Sequence, residues 1–540
     1  MKLKVILSIL ITAIVLTFSA CSSDFLQYTA YGTPTSDQFW KTSSDLQSAV
    51  DGLYFWTGME PTTGRGFMWY ENASDNMITG RDKAGAAILK NFTETGNTDR
   101  DVTGEWPNFY QLIHRCNDVL LNAPKMNVPA AQKTEAMGEG YFFRGFAYLW
   151  LAPWYGDIVS GGIPIMLPTT PVDSIDMPRP SSVLKNYAMI ISDFQKAAAM
   201  VPYLQDRAVT DYGRPHKTAC WGFIARAALY AAQYDPTYFT ICSNYCDSII
   251  NSNRNSLVAK YSDFFTPAQN YGPEYLWNFP SNQLEGSELP GVMFENGGWG
   301  KYNTWGYYQP TLELYNEFEQ GDSRRSATIA MPGDVLSFIG TNNIVYAVNP
   351  LSVSSPSIMA CSKYLAPFAG ADCVGKSVNT NGDFPTTTLC PPVLRYADIL
   401  LMKAEAMIWT GQNGDTWLNQ VRNRAGLASK TGATKADLKH ERRCEFAFEP
   451  GPWRYLDVVR WGDASTLLSA PLHGLMRRAD GVTIANWKVA SPGTYSGYKL
   501  NPDSVNVVWA ARTYNSYNDV FAIPYGVMQL SKTLVQNHGY

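Results

Sequence analysis

Apolar residues recur at steps of three and four along much of this chain of 540 residues, and this spacing predicts α-helices. The clearest stripe lies in residues 391–411 and consists of Leu394, Ala397, Leu401, Ala404, Met407 and Ile408. Comparable patterns predict further helices at residues 37–54, 106–124, 135–151, 181–200, 217–233, 238–251 and 525–535. The pattern therefore favours a mainly α-helical protein.

The helices predicted between residues 181 and 251 follow one another as helix–turn–helix pairs, and the middle one is rich in alanine. Serial helix pairs are typical of a tetratricopeptide-like solenoid, although the chain has no clean 34-residue repeat. Such stacks present extended concave surfaces to partner proteins. We therefore predict a mainly α fold, in which a tetratricopeptide-like (TPR-like) helical solenoid scaffold carries long irregular loop insertions with the ligand site.

Polar and glycine-rich stretches interrupt the helical pattern at residues 61–103, 253–390 and 470–520. Binding residues concentrate on loops that a rigid scaffold positions. The changes of pattern divide the chain into three parts. Residues 1–20 are a leader, residues 21–252 an N-terminal helical region, and residues 253–540 a C-terminal region. The C-terminal region is expected to contain a loop-rich insertion and then a helical framework, at residues 253–390 and 391–468.

Charged residues crowd the end of this framework. Arg454, Asp457 and Arg460 recur every three residues, so they share a helical face and can pair. The preceding predicted helix carries five more charges, at Glu441, Arg442, Arg443, Glu445 and Glu449. One interpretation is a partly buried ion network that locks the helices together. The other is catalysis by Glu445 and Glu449 as paired carboxylates, which would require an open cleft.

Aromatic residues are the least ordinary part of the composition, with 16 Trp, 32 Tyr and 24 Phe. Trp and Tyr offer a flat apolar face together with a polar group. The excess therefore fits a sugar-binding surface, and it fits a large aromatic core equally well. Charged residues make up only 17% of the chain, below the roughly 25% of typical globular proteins.

The first twenty residues have the pattern of an export signal, with two lysines before a short apolar run at residues 5–18. That run is shorter than the roughly 20 residues of a membrane span. The sequence FSAC, which ends at Cys21, resembles a bacterial lipobox, so Cys21 is predicted to become the lipidated N-terminal residue. Several acyl chains would anchor the protein stably. The alternative is an ordinary signal peptide with a cysteine at its junction.

Charge and motif content exclude several classes of function. Loss of the leader removes Lys2 and Lys4 and no acid, which takes the net charge from −4 to near −6. This acidic balance argues against a nucleic-acid partner, because such a protein needs a basic patch. The five histidines have no zinc-ligand spacing. The chain has no nucleophile elbow, phosphate loop or dinucleotide fingerprint, so we predict no cofactor and no metal.

Eight cysteines lie beyond Cys21, and their spacing does not define a pairing. Cys242 and Cys246 share a helical face and could together hold a metal, but buried thiols are the favoured interpretation. Export permits disulfides. The better disulfide candidates lie in loop-rich chain and are Cys361, Cys373 and Cys390.

Several segments resemble the SusD/RagB glycan-capture lipoproteins of Bacteroidetes. In the C-terminal half these segments are LRYADILLMKAEA, LNQVRNRAGL, ERRCEFAFE and DVVRWG. Also similar to that family are CSSDFL at the predicted mature start, GEGYFFRGFAYLWLAPWYGD, and the closing FAIPYGVMQLSKTLVQNHGY. One departure is the turn EPGPW at residues 449–453, which is slightly longer than the corresponding turn of the family.

The resemblance implies a non-catalytic, lipid-anchored and surface-exposed protein of the outer membrane that binds oligosaccharide or polysaccharide. Its implied partner is a TonB-dependent transporter of the SusC type, to which the glycan would be delivered. The solenoid would face the transporter, and the aromatic loops would face the sugar. Two alternatives are a surface glycoside hydrolase and a peptide-capturing member of the same family.

Two loop regions carry the candidate glycan-binding residues. The early region, which the resemblance also assigns to the glycan site, contains Trp69, Tyr70, Asp75, Asn76 and Arg81. The second region contains Trp277, Trp299, Tyr302 and Trp305. Aromatic rings would cover the C–H faces of a sugar, and polar side chains would bind its hydroxyl groups. The alternative for Trp69 and Tyr70 is that they simply cover the helices beneath them. The alternative for the second region is an aromatic-rich hairpin folded onto the core.

Overall fold

The computed structural model describes residues 39–58, 68, 70–79, 84–97, 104–170, 176–281, 308–331, 335–336, 344–345, 357, 359–364, 373–374, 386–451, 453–475 and 505–540. Helices dominate this part of the chain, and the strands are short. The predicted mainly α fold is therefore confirmed.

The helices of the first half are α1 (Ser43–Asp51), α2 (Ala84–Lys90), α3 (Glu105–Asn122), α4 (Ala130–Tyr155), α5 (Leu184–Met200), α6 (Lys217–Ala231) and α7 (Tyr238–Ser252). From α3 to α7, each helix packs against the next one in the sequence. This serial packing is the TPR-like arrangement that the sequence predicts.

Several helix ends differ from the sequence pattern: α4 begins at Ala130 instead of residue 135, and the last helix ends at Leu530 instead of residue 535. The first helix begins at Ser43 instead of residue 37, because Thr42 caps it. The amide of Asp45 donates to Thr42 Oγ1 at 3.2 Å, and the amide of Thr42 donates to Asp45 Oδ2 at 2.7 Å. The fourth helix continues past Pro153 to Tyr155. A proline this close to the end removes a hydrogen bond from the last turn only.

The helices of the second half are α8 (Leu312–Glu317), α9 (Ser323–Thr328), α10 (Tyr396–Trp409), α11 (Asp415–Arg424), α12 (Lys435–Phe446), α13 (Arg454–Arg460), α14 (Ala464–Leu467) and α15 (Tyr525–Leu530). Helix α10 packs against α6 and α7, so the helical stack continues across residue 252. Gly222 of α6 permits this approach, because a Cβ there would lie 3.3 Å from Ile399 Cδ1 of α10 and 2.5 Å from Leu394 Cδ2, just before α10.

The strands are β1 (Met77–Thr79), β2 (Tyr275–Asn278), β3 (Tyr308–Pro310), β4 (Ile329–Ala330), β5 (Val335–Leu336), β6 (Ile344–Val345), β7 (Ala360–Cys361), β8 (Cys373–Val374), β9 (Thr386–Thr387), β10 (Pro392–Arg395), β11 (Leu472–Leu475) and β12 (Val505–Trp509). They form antiparallel two-stranded pairs, namely β1–β3, β2–β10, β4–β7, β5–β6, β8–β9 and β11–β12.

One continuous hydrophobic core extends from α1 to the C-terminal segment. Aromatic rings fill much of it: Trp277 packs on Phe142 with ring centroids 4.6 Å apart, and Trp154 stacks on Tyr455 at 5.7 Å. Part of the aromatic excess therefore serves packing. Within the described residues, no helix combines the length and the apolar character needed to cross a bilayer.

Candidate functional site

The charged C-terminal helices form a buried ion network. At its centre Arg395 donates from Nε to Glu449 at 2.7 Å, and from Nη1 to Glu274 at 2.7 Å and Glu445 at 2.6 Å. All four side chains are almost fully buried. Further donors to the same carboxylates come from Arg324, Lys363 and Arg424. The structure therefore shows the ion network that the alternating charges predict.

Glu445 and Glu449 lie inside this network. Burial by itself would raise the pKa of Glu445, but the guanidinium groups of Arg424, Arg395 and Arg324 hold it well below the ordinary value. The general acid of a glycosidase needs the opposite property, a proton retained near neutral pH. This pair of carboxylates therefore stabilises the helical framework and does not support the hydrolase interpretation.

The same kind of pairing joins the two halves of the chain. Asp398 of α10 accepts a hydrogen bond from Arg226 of α6 at 2.7 Å and another from Arg442 of α12 at 2.8 Å. Asp398 is buried, and both arginines hold its pKa below the ordinary value although burial opposes this. The N-terminal solenoid and the C-terminal framework are thus connected by ionised groups as well as by apolar contacts.

The predicted charge face of α13 is confirmed in part. Arg460 Nη2 lies 2.7 Å from Asp457 Oδ1, as the three-residue spacing predicts. The pairing of Arg454 is corrected, because its guanidinium donates to Asp75 at 2.8 and 3.1 Å. Asp75 belongs to the early loop region. The framework helix therefore holds a segment that lies far away in the sequence.

Arg443 of α12 holds segments from both loop regions. Its Nε donates to Asn76 at 2.9 Å, its Nη2 lies 3.0 Å from Asp75 Oδ2, and its Nη1 donates to Glu317 of α8 at 2.8 Å. Thr311 Oγ1 donates to the carbonyl of Asp75 at 2.7 Å. Arg443 and Arg454 also hold the pKa of Asp75 well below its ordinary value, although burial opposes this.

The pair β1–β3 joins one segment of the early loop region to one segment of the second loop region. Met77 lies opposite Pro310, and Thr79 lies opposite Tyr308. The chain leaves β1 at Thr79 and enters β3 at Tyr308. These two residues face each other at one end of the strand pair. Neighbouring strands of a sheet are roughly 5 Å apart.

The structure buries four of the predicted glycan-binding residues, namely Tyr70, Asp75, Asn76 and Trp277. The ring of Tyr70 stacks on Trp154 with centroids 4.5 Å apart, and its hydroxyl bonds to that of Tyr155. Trp277 is only 1% exposed and has no free face for a sugar. We therefore correct the expectation for these four residues: they belong to the core and the ion network that carry the loops.

The other predicted residues lie outside the described part of the chain. They are the lipidation candidate Cys21 and the glycan-binding candidates Trp69, Arg81, Trp299, Tyr302 and Trp305. Their roles stay predictions.

Sequence reasoning missed the residues that hold the loops, chiefly Arg443, Thr311 and Glu317. Arg443 and Asn76 are separated by 367 positions, whereas helical periodicity reports only on neighbours three or four residues away. The one signal in the sequence was the unusual density of charge in α12. It indicated buried pairing but did not identify the partners.

A cavity of about 330 Å³ lies between α1, the start of α4 and Arg214. Burial raises the pKa of Glu139, and Arg214 together with the hydroxyl of Tyr54 limits the rise, so the pKa is about 7. The lining contains no aromatic ring, so it lacks the flat face on which a sugar stacks. We assign no ligand to this cavity.

One group of described side chains has potential metal-ligand atoms close enough together to surround a cation. These atoms, on Glu319, His440 and Glu441, lie within 4.8 Å of one another. However, Arg422 Nη1 lies 2.7 Å from Glu319 Oε1 and also bonds Glu441. The positive charge that a metal would provide is therefore already present, and we assign the group to the ion network.

The seven cysteines whose side chains the structure describes are all free buried thiols: Cys116, Cys220, Cys242, Cys246, Cys361, Cys390 and Cys444. The favoured interpretation of the Cys242/Cys246 pair agrees with this. The disulfide expectation is corrected for Cys361 and Cys390. Burial raises the pKa of these two thiols, to about 12 and about 11. Few thiolates are therefore available for disulfide exchange at neutral pH.

Two models of known protein families match the chain. The model described as the SusD family matches residues 251–540, and the model described as "Starch-binding associating with outer membrane" matches residues 31–229. The first of these covers more than half of the chain. The chain therefore belongs to the SusD family, as its sequence motifs predict.

Individual relatives agree with this assignment. A SusD-like protein of Bacteroides ovatus is 26% identical over 484 residues, which cover 84% of this chain and 82% of the relative. The crystal structure of a SusD-like protein from Bacteroides fragilis shares 22% identity and a TM-score of 0.74, covering 94% of this chain and 100% of the other. Surface glycan-binding protein A from Bacteroides thetaiotaomicron, in complex with laminarihexaose, shares 18% identity and a TM-score of 0.68, covering 92% and 99%. These structural matches establish the fold.

Proposed function

We propose that this protein is a non-catalytic carbohydrate-binding lipoprotein of the outer membrane. It captures oligosaccharide or polysaccharide at the cell surface and delivers it to a SusC-like TonB-dependent transporter. Family membership supports the proposal, as does the family description of starch binding in association with the outer membrane. A protein of the same fold is known in complex with laminarihexaose. Lipidation at Cys21 would provide the anchor.

The observation that carries the proposed site is the pairing of β1 with β3. Thr79, which lies two residues before Arg81, faces Tyr308, which lies three residues after Trp305. Only two and three positions of the sequence therefore separate Arg81 and Trp305 from the paired strands. The framework thus supports two candidate loops from one short sheet.

The proposed ligand contacts are made by loop residues outside the buried set. Trp299, Tyr302 and Trp305 would stack on the sugar rings, with Trp69 and Arg81 contributing from the early loop. Rings cover the C–H faces of a sugar while a guanidinium group and amides bind its hydroxyls. The buried Asp75 and Asn76 contribute indirectly, because they hold the early loop on Arg443 and Arg454.

A panel of glycans that includes laminarihexaose and starch fragments tests this proposal on protein lacking residues 1–21. Wild type should bind at least one glycan without releasing new reducing ends. The double variant Trp299→Ala, Trp305→Ala should bind it about tenfold more weakly or worse, since aromatic anchors dominate such contacts. Tyr525→Ala removes a ring that is 51% exposed outside the proposed site and serves as the matched control.

The other outcomes identify the alternatives. Equal binding by wild type and the double variant would place the ligand elsewhere. Release of reducing ends would support a surface hydrolase. Binding of peptides with no glycan bound would support the peptide-capturing alternative.

A further inference from the structure

The short helix α8 follows β3 directly, and each of its two glutamates pairs with a histidine from another element. His473 of β11 lies with Nδ1 2.5 Å from Glu313 Oε1, and its amide donates to Glu313 Oε2 at 3.1 Å. His440 of α12 lies with Nδ1 2.8 Å from Glu317 Oε1. We call His440–Glu317 and His473–Glu313 the histidine pairs.

Both ring nitrogens of His440 face acceptors. While Nδ1 is bonded to Glu317, Nε2 lies 3.2 Å from Glu319 Oε1 and 4.0 Å from Glu441 Oε1. A neutral imidazole has a single N–H group, and the imidazolium ion has two. The geometry around His440 therefore suits the protonated ring, which alone can donate to carboxylates on both sides.

The histidine pairs are connected to the strands that support the proposed ligand loops. The second oxygen of Glu317 accepts from Arg443, which also holds Asp75 and Asn76. The amide of Thr311, one residue before α8, donates to the carbonyl of Asn76 at 3.0 Å. A shift of α8 would therefore displace both β1 and β3.

We propose that the histidine pairs position α8, and with it the two proposed ligand loops, and that this contact is pH-sensitive through His440: protonation of His440 strengthens the contact, and deprotonation weakens it. The expected effect of pH on glycan affinity rests on the proposed function. The expected effect of pH on the stability of α8 does not, because the contacts of the histidine pairs all lie within the described residues.

The sign of the pH dependence follows from His440. Burial lowers its pKa, but the hydrogen bond to Glu317 and the charges of Glu441 and Glu317 outweigh burial, so the pKa lies above its ordinary value. The pKa of Glu317 is about 2. The stabilisation is therefore fully present below about pH 6.5, the ordinary pKa of histidine, and is lost as pH rises through the raised value.

Other charged or titratable groups also face these pairs, and the variants described below leave them unchanged. Around His440 they are Arg324 of α9, Arg422 of α11, and Arg443 and Cys444 of α12. Around Glu313 they are Lys90 of α2 and the partly desolvated Arg512, whose charges act on that carboxylate.

Hydrogen exchange of the intact chain, followed by mass spectrometry, tests the proposal without any ligand. Protection of residues 308–317, corrected for the intrinsic effect of pH, should be about two- to fivefold greater at pH 5.5 than at pH 8.5, the magnitude of a partly exposed ion pair. All the proteins compared carry Glu71→Gln, because burial raises the pKa of Glu71 to about 8 and this carboxyl group would otherwise titrate in the same range. In that background the double variant His440→Gln, His473→Gln should lose the difference, because glutamine does not titrate.

His114→Gln is the matched control. His114 pairs with Asp118 at 3.2 Å on the surface of α3, and both side chains are more than a third exposed. This variant should keep the wild-type pH difference. A wild type with equal protection at both pH values would overturn the proposal, as would a double variant that keeps the difference.

A second readout separates this proposal from the proposed function. If a glycan binds, its affinity should be higher at pH 5.5 than at pH 8.5 in wild type and independent of pH in the double variant. The expected exchange difference in a protein that binds no glycan at any pH would support the histidine pairs and contradict the proposed function. A glycan affinity whose pH trend persists in the double variant would contradict the histidine pairs alone.

Discussion

The helical framework and the loop-bearing segments are both stabilised by ion pairs, but those pairs differ in their exposure to water. Around Arg395 the paired side chains are at most 2% exposed. In the histidine pairs, His440 and His473 are 19% and 30% exposed. A guanidinium group stays charged at any physiological pH, whereas imidazole titrates near neutrality. The framework is therefore electrostatically fixed, and only the part of the loop support that depends on the histidine pairs responds to pH.

The largest expected effect comes from the centre of the framework. Arg395→Met leaves Glu274, Glu445 and Glu449 without their shared cation, which should lower the free energy of unfolding by about 3–5 kcal/mol. Urea unfolding measures this change. Lys430→Met, which breaks the more exposed pair with Asp437 (3.0 Å), should cost about 0.5 kcal/mol and is the control. Similar losses of unfolding free energy in the two variants would contradict the conclusion that buried pairs contribute more to stability than exposed pairs.

A second expected effect concerns Glu71, a buried carboxyl group in the early loop region. Burial raises its pKa to about 8, although the amide of Tyr455 donates to it. The unfolded chain releases this proton near pH 4.3. Stability should therefore fall as pH rises from about 4.5 to 8. Glu71→Gln cannot ionise, so between pH 5 and pH 8 it should gain on the order of 2 kcal/mol relative to wild type.

Glu445→Gln is the matched framework variant for this pH experiment. The pKa of Glu445 is lowered, so the stabilisation from its carboxylate is present above the unfolded pKa and lost only at acid pH. This variant should therefore be destabilised at both pH 5 and pH 8 with little difference between them. If the stability change caused by Glu71→Gln and by Glu445→Gln varied with pH in the same way, this would contradict a protonated Glu71 and an ionised Glu445 in the folded protein.

The smallest expected effect separates two helix caps. Thr311 caps α8 by accepting from the amide of Leu314 at 3.3 Å, and it also donates to Asp75. Thr434 caps α12 by accepting from the amide of Asp437 at 3.2 Å. Loss of either cap should lower the free energy of unfolding by about 1 kcal/mol. Thr311→Ala also loses the hydrogen bond to Asp75 in the early loop region, so thermal unfolding should show a total loss about 1 kcal/mol larger than that of Thr434→Ala. Equal costs would mean that this contact contributes nothing to stability.

The helical framework could be predicted from the sequence because the forces that specify it are local. The stripe from Leu394 to Ile408 predicts α10 closely, since side chains three and four positions apart lie on one helical face. The errors of local prediction lie mostly at helix ends, at Ser43, Ala130, Tyr155 and Leu530, and the short helix α2 falls in a predicted loop region. The charge density of α12 also indicated buried pairing, because so many charges among aromatic residues do not suit a solvated face.

The candidate site could be predicted only in part. Asp75 and Asn76 are predicted as glycan-binding residues, but the structure buries both and pairs them with Arg443 and Arg454. Trp277 is predicted as a glycan-binding residue, but its ring is buried on Phe142. A polar or aromatic residue in a loop has the same sequence pattern whether it faces a ligand or the core.

The sequence by itself determined the family and most of the helical elements, since these depend on motifs or on spacings of a few residues. Only the tertiary structure decided which charges pair and which rings are buried. It also decided that β1 and β3 support two loop regions separated by more than two hundred residues. The physical reason is that burial and ion pairing depend on distances in space, and a one-dimensional pattern does not contain those distances.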